Sequence, residues 1–144
     1  MRSSEIGTGD RRVLVVVCGK GDEAVRSITD AVRDHDMGAA QVTAVGAFSD
    51  AELGWFDRQE RSYRRIPVGE QVEVLSLIGD IATRGGAPEP HLHAVLGRAD
   101  GSTVGGHLLR GTVWPTLEVI ITAVAAELAK RIDPETGLPL LTLD

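Results

Sequence analysis

Aromatic side chains are nearly missing from this chain: two Trp, two Phe and one Tyr make up 3% of its 144 residues. A core packed to ordinary density must then be filled by Val, Leu, Ile and Ala. Cysteine occurs once, at Cys18, which excludes an internal disulfide framework and fits a reducing cytoplasm. The opening MRSSEIGTGD has no apolar centre, so it does not read as a signal peptide. There is no run of about 18 apolar residues, so neither a membrane span nor a membrane partner is expected. Positive charge is also in deficit, with 15 Lys and Arg against 21 Asp and Glu and a net charge of −6. A free-standing DNA binder gains affinity from a basic face that displaces counterions. An acidic total lowers that expectation without forbidding a local basic patch. Repeats and low-complexity linkers are missing too.

What remains is 42% hydrophobic and 25% charged, the balance of one soluble globular domain. Residues 1–10 read as a flexible tail and 11–144 as the domain. RRVLVVVCG is a β-branched run ending in glycine, which predicts a buried strand. Ala24, Val25, Ile28, Ala31 and Val32 then recur at helical spacing, with Asp22 and Glu23 in the first turn, where carboxylates suit the helix dipole. Gly38 is the expected helix stop. AAQVTAVGAFSDAELGWFD reads as two strands around Ser49-Asp50, and RSYRRIPVGEQ as a short strand and turn. QVEVLSLIGDIA alternates and then becomes apolar on both faces, which suggests a central strand. Residues 116–131 stay open: their β-branched beginning favours a strand and their Ala-rich end a helix. The fold class expected is α+β, one domain with many strands and one main helix.

The stretch PHLHAVLGRADGSTVGGHLL carries three of the four histidines. In a strand His91 and His93 point to one face, with Leu92 on the other. Arg-Ala-Asp-Gly-Ser resembles a three-residue hairpin loop, Ala99-Asp100-Gly101, with glycine left-handed. Such a loop pairs Arg98 with Ser102, so opposed residue numbers sum to 200. His93 then faces His107, with His91 diagonal to it, at Cβ separations of about 5 and 7–8 Å. Three imidazoles so placed suit one divalent ion, zinc first among them, with a fourth position open. Gly105 and Gly106 leave room beside them for a second backbone. Asp80 and Glu118 are candidates for accepting an imidazole N–H from outside the ligand set. The same spacing also fits three ordinary histidines on a polar sheet face.

Other features carry less. CGKGDE has too few glycines and no Gly-Lys-Ser/Thr ending for a phosphate loop, and reads as a strand-to-helix turn. RQERSYRR holds Arg58, Arg61, Arg64 and Arg65, the one basic cluster and so the candidate nucleic-acid contact, although Asp57 and Glu60 interrupt it. Cys18 lies in an apolar run and reads as an inert thiol. Trp55, Phe56 and Trp114 read as packing or interface anchors. No Asp-His-Ser set is recognisable, and the catalytic residues of any enzyme here stay unknown.

VEVLSLIGDIA, PHLHAVLGRADGSTVGGHLLRGTV and PTLEVII, in that order, resemble the plants and prokaryotes conserved (PPC) domain, once called a domain of unknown function. AVGAFSDAELGWFD and YRRIPV match its middle, so the likeness runs from about Arg12 to Leu141. The resemblance implies a compact α+β fold, a curved, largely antiparallel sheet with the main helix packed on it, together with a homotrimer and a metal-binding role for His91, His93 and His107. Plant members join the domain to AT-hooks and act as nuclear DNA-binding regulators, whereas prokaryotic members mostly stand alone. This chain has no Arg-Gly-Arg-Pro core of an AT-hook, which would read A·T-rich minor grooves. It also has TRGGAPEP where the plant proteins carry a motif around Arg-Asn-Phe. The expectation is a stand-alone, cytoplasmic, homotrimeric binding protein with a three-histidine zinc site and a regulatory role. Direct DNA contact is weakly supported. The alternative is a metal-dependent enzyme using zinc-bound water, and a third reading is an ion that only ties two strands together.

Overall fold

The computed structural model describes residues 1–8 and 11–142. Strand β2 (Val13–Cys18) buries Leu14, Val16 and Cys18 on one face and leaves Val13, Val15 and Val17 half-covered on the other, the period-2 pattern of a strand. Strand β1 (Arg2–Ile6) pairs antiparallel with it, Arg2 opposite Val17 and Ile6 opposite Val13. An edge strand thus occupies part of what was expected to be a tail; Gly9 and Asp10 lie outside the described residues.

Helix α1 (Ala24–Asp34) buries Ala24, Ile28, Ala31 and Val32, the apolar stripe of its sequence. Its acidic residues precede the first turn instead of occupying it. Glu23 is the N-cap, accepting from the amides of Val25 and Arg26, and Asp22 accepts from the Gly19 amide. The stop comes at Asp36, with φ 48°, not at Gly38. The Met37 amide donates to Val32 O and the Asp36 amide to Arg33 O, which closes a Schellman motif over the buried Met37.

The residues from 40 to 57 form one strand, β3 (Ala40–Asp57), and not two. Register shifts near Gly46, Phe48 and Leu53 bend it without ending it. After it come β4 (Ser62–Val68), β5 (Val72–Arg84), β6 (Ala87–Gly97), β7 (Thr103–Ala123), β8 (Ala129–Ile132) and β9 (Pro139–Thr142). β3 pairs with both β5 and β7, and β6 pairs with the same two, so four strands close a circuit. Closure leaves those strands few free edges and encloses Phe48, Leu53, Leu77, Leu92, Leu96 and Leu117.

The α+β expectation with a main helix is therefore overturned. Strands account for 64% of the structure and helix for 9%, in one large mixed sheet with one short helix. Two causes are local. Residues 116–123 complete β7, because Leu117, Val119 and Ile121 point inward while Glu118 and Ile120 point out. The Ala-rich stretch behind them is too short to nucleate a helix alone and runs into β8. β8 joins β5 in parallel at Thr83 and Ala129, which makes the sheet mixed.

The β6–β7 hairpin has the expected turn. Gly101 has φ 82°, the Arg98 amide donates to Ser102 O at 2.8 Å, and Gly97 stands opposite Thr103. A β-branched side chain is strained in that conformation. Gly101→Val is expected to lower stability by about 1–3 kcal/mol in urea unfolding; an unchanged midpoint would show that the loop tolerates other geometries.

Candidate metal centre

His93 is the Cα partner of His107 across the β6–β7 ladder, and His91 is the partner of Asp80 across β5–β6. All three imidazoles share the outer face of the closed sheet, as alternation requires. Their potential ligand atoms lie within 4.8 Å of one another, and His91 Nε2 is 3.2 Å from His93 Nε2. The ring centroids are 5.0, 5.3 and 5.4 Å apart. The outer-face row continues away from the site through Ile78, Thr43 and Ile120, the Cα partners met in turn across β5, β3 and β7.

Backbone proximity makes this crowding feasible. A Cβ on Gly106 would stand 2.7 Å from Gly54 O, and one on Gly54 would stand 2.7 Å from the Tyr63 ring. With both side chains missing, Gly54 pairs with His107, and Tyr63 stacks on the His107 ring at 4.8 Å. Burial pushes the His107 imidazole down to about 4, helped by the neighbouring His91, His93 and Lys130. Burial, and then His91, lowers His93 as well. Both rings are thus held neutral at pH 7, the form that coordinates a metal. His107 Nδ1 is buried with no hydrogen-bond partner. An orphaned ring nitrogen within a compact nitrogen donor set fits a divalent cation of the zinc type.

Of the two candidate supporting carboxylates, the structure brings one to the site. Asp80 Oδ2 is 3.5 Å from His91 Nδ1, while its Oδ1 is 2.9 Å from Lys130 Nζ. The latter is an ion pair at an angle outside hydrogen-bond geometry, since Asp80 Oδ1 has no hydrogen-bond partner. Glu118 stands farther along β7 on the exposed face, opposite Val17 and Val45, apart from the histidines. Lys130 and Tyr63 are the residues that sequence reasoning did not assign to the site. Tyr63 drew notice only as the aromatic inside the arginine cluster. No pattern marks Lys130, whose side chain is 2% exposed only because β8 docks beside β5.

The arginine cluster is largely engaged. Arg64 pairs with Asp57 at 2.9 Å and lies over the Trp55 ring, and Arg65 pairs with Glu52 at 2.5 Å. Arg61 donates to Pro134 O, and Arg58 lines an open groove with Trp55, Asp57 and Glu135. Carboxylates thus share the surface that would have to meet phosphate.

A closed sheet with three imidazoles gathered on its outer face defines a small β-rich protein with a candidate metal centre. The sequence profile of the Plants and Prokaryotes Conserved (PCC) domain matches residues 6–125, and the chain belongs to that family. Solved structures share the fold. One is a metal-containing protein from Archaeoglobus fulgidus, 29% identical, with 99% of this chain and 100% of that one covered and a TM-score of 0.85. Another is a plant- and prokaryote-conserved (PPC) protein from Pyrococcus horikoshii, 23% identical, with 99% and 95% covered and a TM-score of 0.85. A third, from Ralstonia eutropha JMP134, is described as a candidate DNA-binding protein and is 26% identical, with 97% and 96% covered and a TM-score of 0.84. The chain is also 29% identical over 139 residues to the bifunctional protein GlmU of Synechococcus sp. (strain JA-3-3Ab). That match takes in 94% of this chain and 21% of that protein, so the chain spans about a fifth of the length of the curated relative it matches. Among the described residues no helix is long and apolar enough to cross a membrane.

The depressed His107 value gives stability a pH dependence. The unfolded chain binds the imidazole proton near the ordinary 6.5, and the folded chain only near about 4. The contribution is therefore complete above pH 6.5 and is lost as pH falls towards 4. Metal-free protein is expected to unfold at lower urea at pH 5 than at pH 7, and His107→Gln should flatten that difference. Equal pH dependence in the two proteins would contradict it.

Proposed function

We propose that this PCC-domain protein is a homotrimeric, cytoplasmic binding protein with a regulatory role, holding one divalent ion per chain, preferably zinc, on His91, His93 and His107. The observation that carries the reading is the orphaned, buried Nδ1 of a neutral His107 within a compact set of three imidazoles. The metal-containing relative from Archaeoglobus fulgidus supports it. Three protein nitrogens leave a coordination position for an exchangeable ligand, as in metal sites that bind or sense. Bound, the ion would supply a Lewis-acidic centre; the chain's own strands hold the three imidazoles in register.

Assembly is supported by the outer sheet face. Val45, Leu75, Ile78, Val95 and Ile120 are between 42% and 56% exposed and run up to His93. A contiguous apolar face of this kind is what an interface between copies covers. The Ralstonia eutropha relative described as a candidate DNA-binding protein favours DNA as a further partner. With a net charge of −6 and paired arginines, such contact would be nonspecific and sensitive to salt.

Metal analysis of purified protein should give about one ion per chain. His107→Ala should weaken zinc by more than about a hundredfold and shift metal-free stability by less than about 1 kcal/mol. A collapse of the fold on metal removal would instead mark a structural ion, and wild type without affinity for zinc would remove the centre altogether. In sedimentation the wild type should run as a trimer and Ile78→Asp as a smaller species. A wild-type monomer at micromolar concentration would overturn the assembly.

A further inference from the structure

The family profile ends at residue 125, and the β8–β9 hairpin follows it. That hairpin reaches back over the histidines. Lys130 comes from β8, and Leu138 and Leu140 come from the turn and strand behind it. Together with Pro90, His91 and His107 they bound a pocket of about 180 Å³, room for about six waters at ~30 Å³ each. His93 does not line it; it borders a shallower hollow with Ile78 and Val95. Its lining combines polar groups, on His91, His107, Lys130, Tyr63 and Glu89, with the prolyl and leucyl carbons of Pro90, Leu138, Pro139 and Leu140.

Burying an ammonium is costly unless its charge and protons are used. Lys130 Nζ donates to Glu89 O at 3.3 Å and lies 2.9 Å from Asp80 Oδ1 outside hydrogen-bond geometry. An ammonium carries three protons, so it can still donate to a further acceptor. The charges around the pocket nearly cancel. Lys130 offsets Asp80, and the carboxylate of Glu89 is held by Arg84 at 2.5 Å. A divalent ion on the histidines therefore leaves about two positive charges facing a small, poorly hydrated space.

We propose that this pocket binds a short-chain monocarboxylate, its carboxylate towards the histidine-held ion and Lys130 and its alkyl chain against Pro90, Leu138 and Leu140. The proposal rests on the metal-centre reading and names the ligand class of that centre. An anion is selected because Lys130 and a histidine-held ion are both cationic. A carboxylate is selected over an inorganic oxyanion because Pro90, Leu138, Pro139 and Leu140 make much of the lining apolar. Six non-hydrogen atoms, as in butyrate, match the volume. Lys130 acts as the ligand's second anchor.

The test uses the whole protein loaded with Co²⁺, whose visible spectrum reports the coordination sphere. Loading is measured first, so absence of bound cobalt would refute the metal centre, and this proposal with it, before any carboxylate is added. On loaded protein, butyrate should change the spectrum saturably, whereas 1-butanol should not and inorganic phosphate should act more weakly. Lys130→Met should keep the cobalt stoichiometry and weaken butyrate at least about tenfold. Should that variant fail to fold, Leu140→Trp, altered at a half-exposed position, should load cobalt normally and lose the butyrate response. Fully loaded wild type indifferent to butyrate would overturn the proposal while leaving the metal centre intact. Phosphate equal to butyrate, or Leu140→Trp responding like wild type, would do the same.

Discussion

The register of one hairpin governs the rest of the site. Gly101, in its left-handed conformation, lets Arg98 and Ser102 close the β6–β7 loop, and that closure puts His93 opposite His107. Side chains alternate along a strand, so a slip of one residue would turn His107 into the core and bring Leu108 out. The core opposes such a slip, because Leu92, Leu96 and Leu108 are almost wholly buried on the inner face. Hydrophobic burial on one face and the convergence of imidazoles on the other are therefore a single constraint.

Closure of the sheet extends that constraint. β6 is held by β5 on one side and β7 on the other, and β3 joins the same two strands. The histidines sit on strands that are hydrogen-bonded along both edges, which suits a site whose ligands must keep their spacing without an ion. Bulges in β3 supply the curvature. The same arrangement pushes apolar side chains outward. At the shift between Val74 and Ser76, Leu75 turns to solvent, and Ile78 follows on the same face.

Electrostatics at the site follow from burial more than from formal charge. The chain is acidic overall, yet the pocket carries no uncompensated carboxylate. Desolvation, and then the other two rings, keep His107 uncharged, while Lys130 lies 2.9 Å from Asp80. A set of imidazole donors next to a paired ammonium suits a cation together with an anionic ligand. The arginines of the β3–β4 hairpin, by contrast, are shared among Asp57, Glu52 and the Trp55 ring.

The sequence by itself determined what depends on neighbours along the chain. The buried strand at Val13–Cys18, the apolar stripe of α1, the Asp-Gly loop and the pairing of His93 with His107 were legible because period and turn chemistry are local. Fold class was not. Whether residues 116–123 extend as strand depends on their lying between β2 and β3, and the edge strand at Arg2–Ile6 exists because β2 offers it a partner. The two supporting carboxylates looked alike in sequence, but only Asp80 lies across the ladder from His91. Lys130 carried no sequence signal, since its burial arises from a parallel contact between strands some 45 residues apart. Local periodicity chose which side chains face together; tertiary pairing decided which strands meet, and so which charges reach the histidines.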